Sequence, residues 1–293
     1  MNNKTKGIIY IIISAFGFAT MGIFVKLSGD IPSIEKTFFR NIVSLVFAFV
    51  LTLINKESFF GKRENQKYLL GRSILGTIGI VASFYAIDNL VLSDSAMLNK
   101  LSPFFVIIFS LIFLKEKIKT SQVIALILAF LGSLFIIKPG FSSNTFPSLI
   151  GLASAVFAGG AYTFVRFLGN REKYYTIVFY FSFVSIITLL PFMIFVYKPL
   201  TLTQLLYLMG AGTFASIAQF SLTAAYKYAP ASEISIYDYT QILFAALFGL
   251  FIFNEIPDQW SIIGYTLIIS ASIGIFLYNN FSIRKGICYE KKN

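Results

Sequence analysis

Three ionisable residues interrupt long apolar runs of this chain: Arg40, Lys100 and Asp238. If those runs cross a bilayer, each charge costs at least about 2.5 kcal/mol at mid-membrane and needs a partner or a use. Counted at about 1.5 Å per helical residue, Arg40 and Lys100 lie roughly 10 Å below the outer surface and Asp238 roughly 10 Å above the inner one. Two roles are open for Arg40: snorkelling to the outer interface beside Glu35, or contact with a solute. Lys100 either pairs with Asp94 or Asp238 or touches substrate. Asp238 either pairs with Lys100 or serves as a cation or proton site, so it is the candidate for proton coupling.

Neutral polar and aromatic residues surround these charges. Gln241 lies three residues beyond Asp238 and shares its helix face. Asn99, Ser102 and Gln219 add hydrogen-bonding groups, and Tyr237 and Tyr239 flank the carboxylate. An aromatic face can hold a cation or stack on a flat ring. The expected substrate-binding set is therefore Arg40, Asn99, Lys100, Gln219, Tyr237, Asp238 and Gln241.

Other chemistries find no residues. The chain has no histidine and one cysteine, Cys288, so the commonest general base and any intrachain disulfide are missing. No phosphate-binding Gly-x-x-x-x-Gly-Lys-Ser/Thr loop occurs, which argues against ATP-driven pumping by this chain. No span carries paired carboxylates at helix spacing, which argues against an intramembrane enzyme. No metal and no cofactor are expected. A receptor or assembly subunit is the remaining different class, and the lack of room for an extramembrane domain argues against it.

The elements that must position these residues are apolar helices. Hydrophobic residues make up 57% of the chain and charged ones 13%, which marks a membrane protein. Ten runs are predicted to span, near 7–27, 33–54, 68–87, 94–114, 120–138, 147–168, 176–197, 203–226, 231–253 and 259–279. The first is read as a retained helix, not a signal peptide. Pro103 and Pro191 fall within spans, where each leaves a carbonyl four residues earlier without its donor. Trp260 reads as an interfacial anchor.

The net charge of +11 reflects topology, not nucleic-acid binding. With the N-terminus inside, inner loops and helix ends hold eighteen Lys and Arg residues, Arg72 among them. The outer ends hold only Lys26, Lys36, Lys138 and Lys198. This asymmetry predicts cytoplasmic termini in the cell membrane. The expected partners are the lipid bilayer and a small-molecule substrate, with the chain a monomer or homodimer.

The chain also repeats itself. Residues 92–116 align without gaps on 231–255, and Phe24-Val25-Lys26 aligns on Phe164-Val165-Arg166. With five spans per half, the second half must enter from the opposite side. The predicted fold class is an all-α membrane protein of ten transmembrane helices in two inverted five-helix repeats, residues 1–138 and 147–281, followed by a tail at 282–293. Inverted repeats favour a transporter with its substrate site near mid-membrane.

The motifs Phe38-Phe39-Arg40, Gly71-Arg72, Phe84-Tyr85-Ala86-Ile87, Ser93-Asp94-Ser95-Ala96, Pro103 and Leu114-Lys115-Glu116 recur in order. Their second-half echoes are Ala225-Tyr226-Lys227-Tyr228-Ala229-Pro230-Ala231 and Phe253-Asn254-Glu255. Together they resemble the drug/metabolite transporter superfamily in its ten-helix EamA-type branch. The resemblance implies a central cavity and alternating access. It draws attention to the repeat mates Glu116 and Glu255 as gate or cap residues. The Tyr237-Asp238-Tyr239 segment resembles members thought to carry S-adenosylmethionine. The functional expectation is secondary transport of a small polar or zwitterionic metabolite, such as an amino acid or derivative, with S-adenosylmethionine or a similar cofactor as the alternative.

Overall fold

The computed structural model describes residues 3–114, 120–138, 145–168, 171–228 and 234–284, and these contain helices and turns with no strand. The helices are α1 (Asn3–Leu27), α2 (Ser33–Ile54), α3 (Gln66–Asn89), α4 (Leu92–Asn99), α5 (Ser102–Leu114) and α6 (Thr120–Ile137). They continue with α7 (Thr145–Leu168), α8 (Tyr174–Val196), α9 (Leu202–Tyr228), α10 (Thr240–Phe253) and α11 (Gln259–Arg284). Eight helical stretches are long and apolar enough to cross a membrane, which makes the chain a multi-pass membrane protein.

Two apolar helices are shorter, Gln122–Ile137 and Tyr237–Phe253. They occupy the fifth and ninth predicted spans, so eight full-length spans stand where ten were expected. The ninth shortens because its opening residues, Ser235–Tyr239, form a 3₁₀ turn before the α-helix begins. Such a turn rises about 2.0 Å per residue, more than an α-helix, so part of the lost length returns.

The bundle carries its polar residues inside and its large apolar ones outside. Helix α2 shows why. Lys36, Arg40, Ser44, Ala48 and Thr52 recur every fourth residue, form a stripe that winds slowly around the helix and are all buried. Val46, Phe47, Val50 and Leu53 occupy the other face and are exposed. In lipid this is the stable arrangement, because only the protein interior can hydrogen-bond the polar stripe.

The fourth predicted span is broken. Helix α4 ends at Asn99, Lys100 and Leu101 turn, and α5 starts at Ser102 with Pro103 in its first turn. Proline is tolerated there because first-turn N–H groups have no intrahelical acceptor. The break places Lys100 near mid-bundle, and its carbonyl accepts from the Tyr239 hydroxyl at 3.4 Å. Pro191, by contrast, lies inside α8, which continues to Val196.

Packing pairs each early helix with a late one. Helix α1 lies against α9, α3 against α7, α2 against α8, α6 against α11 and α4 against α10. Small residues set the spacing. The Phe24 ring rests on Gly210, where an added Cβ would meet it at 3.0 Å, and Phe164 rests on Gly71 at 2.9 Å. Small-residue contacts of this kind bring helix backbones close where no hydrophobic effect drives them together.

Candidate functional site

A cavity of about 590 Å³ opens between these helices. Its walls include Phe18 and Gly22 of α1, Arg40 of α2, Arg72, Gly76 and Ser83 of α3, and Asn99 and Lys100 at the α4–α5 break. Tyr162 of α7, Phe181 of α8, Gln219 of α9, Asp238 of the 3₁₀ turn and Gln241 of α10 complete them. Its size suits a metabolite-sized solute. No cluster of metal-ligating side chains occurs among the described residues.

The structure gathers six of the seven predicted binding residues around this space: Arg40, Asn99, Lys100, Gln219, Asp238 and Gln241. Tyr237 is outside the lining and exposed. Successive residues of a 3₁₀ turn point about 120° apart, so Asp238 and Tyr237 cannot face the same way. Tyr239 sits nearby instead, receiving a 2.5 Å hydrogen bond from Ser272.

Lys100 and Asp238 form an ion pair, Nζ to Oδ2 at 2.5 Å. The second carboxylate oxygen of Asp238 is buried with no hydrogen-bond partner among the described residues. Asp94, the other expected partner of Lys100, accepts from the Tyr265 hydroxyl at 2.5 Å. Asn99 donates to Ser154 at 3.3 Å.

Arg40 departs from the snorkelling expectation. It is buried and faces the cavity, and its Nη1 donates to Asn41 Oδ1 at 2.6 Å. Its expected partner Glu35 instead accepts from the backbone N–H of Lys198 at 3.1 Å. The two lie five residues apart, roughly 140° around the helix, so they cannot share a face. Glu35 and Lys36 themselves are fully buried, not interfacial.

Sequence reasoning missed Arg72, counting it among inner-surface charges. It is buried, lines the cavity, and lays its guanidinium on the Phe181 ring at 3.7 Å. An added Cβ at Gly76 would stand 2.8 Å from Arg72 Nη1, so that glycine is what leaves the guanidinium its room. The signal was present as an arginine four residues before a glycine on one helix face.

One end of the bundle is tied by ion pairs. Lys26 pairs with Glu255, whose other oxygen accepts the N–H of Leu92 at 3.0 Å, the first residue of α4. Lys26 also donates to the Leu90 carbonyl at 2.7 Å. Lys36 meets Asp88 at 2.6 Å, Lys138 meets Asp258 at 2.7 Å, and Lys198 meets Asp30 at 3.0 Å. Burial works against the Asp258 charge. The Lys138 ammonium and the Ser261 N–H nevertheless hold its carboxyl below the usual carboxylate range. Glu116, the repeat mate of Glu255, lies outside the described residues. Trp260 is exposed and stacks on Phe135 at the same end.

A multi-pass helical bundle around a charged central cavity defines a membrane carrier class, and comparison with known proteins narrows it. The profile of the EamA-like transporter family matches residues 5–138 and 145–277, and the chain belongs to that family. It is 34% identical over 273 residues to a pseudopaline exporter of Pseudomonas aeruginosa, covering 92% of this chain and 95% of the relative. It is 24% identical to human solute carrier family 35 member G1 over 284 residues, 92% of this chain and 78% of that one. A riboflavin transporter of Brucella anthropi shares 27% over 252 residues, 83% and 87% of the two chains. A crystal structure at 14% identity superposes with a TM-score of 0.66 over 94% of this chain and 98% of its own, a likeness of fold alone.

Proposed function

We propose that this chain is a secondary transporter that moves a small polar metabolite, an amino acid or derivative, across the cell membrane by alternating access. The observation that carries the reading is the charged cavity enclosed between early and late helices, beneath an end tied by ion pairs. Its relatives' names, an exporter and a riboflavin transporter among them, support transport and leave the solute open.

The machine proposed for this task is two inverted five-span repeats, residues 1–138 and 147–281, with both termini cytoplasmic. The packing supports it. Phe24 on Gly210 and Phe164 on Gly71 are one contact made twice, with each half supplying the ring once and the glycine once. Gly17 against Ala218 at 3.0 Å and Gly79 against Phe157 at 3.4 Å also occupy equivalent positions under the 139–140 offset between the repeats. Two such bundles can rock about the cavity between them.

Within this mechanism Lys100 and Asp238 form the coupling pair. Lys100 sits at the α4–α5 break and Asp238 in the 3₁₀ turn that leads into α10, and each faces the cavity. A proton on Asp238 would cancel its charge and release Lys100, so protonation and solute binding become linked. S-adenosylmethionine fits less well, because a sulfonium cation would enter a cavity in which cations already outnumber carboxylates.

Flux tests the reading. Proteoliposomes holding the purified protein should release an amino-acid derivative faster than protein-free vesicles, with Asp238→Asn losing the dependence on a pH gradient. Release at the protein-free rate for every solute offered would contradict it.

A further inference from the structure

Four charged residues line the cavity among those described: Arg40, Arg72, Lys100 and Asp238. Lys100 and Asp238 pair with each other through one carboxylate oxygen. Arg40 and Arg72 face no carboxylate among the described residues. Both are more than nine-tenths buried. Arg40 Nε, Arg72 Nε and Arg72 Nη1 have no hydrogen-bond partner among the described residues. An uncompensated buried cation is costly, and two that share one pocket add mutual repulsion. A protein keeps such a pair when something else supplies the negative charge.

The pair is also held in place. Phe181 supports the Arg72 guanidinium plane, and Gly76 leaves space at its edge. Asn41 ties Arg40 from one side and is itself tied to Ser185 at 2.6 Å. The two arginines also line a small pocket of about 20 Å³ together with Ser44, Ser182 and Ser216. Two positioned guanidinium groups that line one cavity without a carboxylate match an oxyanion, which they can grip through paired charge-assisted hydrogen bonds.

We infer that Arg40 and Arg72 form an oxyanion subsite and that the transported solute is an organic anion with at least two acidic groups, net negative by about two charges. This rests on the transport reading and names its substrate class. One acidic group sits on the arginine pair. The remainder of the solute extends toward Lys100 and Asp238, where a second acidic group competes with Asp238 for the lysine. An amino-acid derivative with extra carboxylates satisfies both ends. A phosphate ester offers the same oxyanion chemistry, and the test separates the two.

The purified protein is first titrated with citrate and, separately, with inorganic phosphate while its unfolding temperature is followed. Citrate should stabilise the protein, and Arg72→Gln should weaken its apparent affinity at least about tenfold. Gly76→Ala should do the same by displacing the guanidinium while keeping its charge. The added methyl also meets the Phe181 ring at 3.1 Å, so the unfolding temperature of that variant without ligand is measured alongside and must match the parent's for the loss of binding to count. Stabilisation by phosphate alone would assign the subsite to phosphate esters. No stabilisation by either anion, or equal stabilisation in both variants, would overturn the inference.

Proteoliposomes are then loaded with a small-molecule extract of the producing cells, and released species are identified by mass spectrometry. Selective release of species with two or more acidic groups supports the inference. Selective release of neutral or cationic species overturns it and leaves the transport reading intact. No selective release overturns the transport reading itself.

Discussion

Two regions of this protein use the same side chains in opposite ways. At the tied end, Lys26, Lys36, Lys138 and Lys198 each meet a carboxylate of another element. In the cavity, Arg40 and Arg72 meet none among the described residues. Paired charges join one element to another. Buried charges without a counter-charge are suited to a ligand that brings the missing one. The contrast separates latch from site without reference to any substrate.

The comparison breaks most easily at Lys36, which is fully buried against Asp88. Asp88→Asn removes the charge and strands the ammonium, so stability should fall by about 3–5 kcal/mol. The double variant Lys36→Met with Asp88→Asn should recover most of it. Denaturant unfolding in detergent measures both. A single variant as stable as the parent would mean the tied end is no latch.

The coupling pair should respond less, because it borders the cavity. Asp238→Asn should cost about 1.5–3 kcal/mol in thermal unfolding and abolish pH-gradient dependence of flux. Adding Lys100→Met should restore the stability and not the coupling. Arg72→Gln sharpens the contrast from the other side. With no counter-charge to strand, it should leave ligand-free stability unchanged or raise it by about 1 kcal/mol. A marked loss would make Arg72 a strut and remove the distinction between the two regions.

The smallest effect belongs to Asp258, which is half exposed. Its carboxyl is held below the ordinary range, so its contribution is present above the unfolded-state value near pH 4. It should fade as pH drops through the lowered folded value. A pH series of unfolding midpoints should therefore show a shallow acid-side decline that Asp258→Asn flattens. An unchanged slope in that variant would show that another group governs it.

Much of this was legible in the residues. Arg40, Lys100 and Asp238 stood out because a charge in an apolar run is conspicuous. The packing partners were less so. Arg72 lies six residues into α3, close enough to a helix end to pass for a surface charge. Only the fold shows α8 bringing Phe181 over it. Lys36 and Glu35 were misplaced for a related reason. Position along a helix was readable, whereas coverage by the α8–α9 connection, which supplies Lys198, was not. Tyr237 was grouped with Asp238 because it flanks it in sequence, and the local 3₁₀ twist turns the two side chains apart. The break at Lys100 was not read from the sequence: Pro103 marked a missing donor inside a span expected to run through, and the fold places it in the first turn of a new helix.

If the ion pairs of the tied end act as a latch, they close the cavity on that side and leave it to be reached from the other end. One measurement tests it most directly. A single cysteine is placed at Ser83, on the cavity wall, in a chain whose Cys288 is replaced by serine. A membrane-impermeant thiol reagent is then applied to each side of sealed vesicles. Labelling should be fast from the side of the Lys56–Asn65 loop and slow from the side of Asp30. Adding Glu255→Gln, which cuts the tie between Lys26 and Leu92, should raise labelling from the Asp30 side by about tenfold. Fast labelling from the Asp30 side with Glu255 intact, or no change when the tie is cut, would contradict the account.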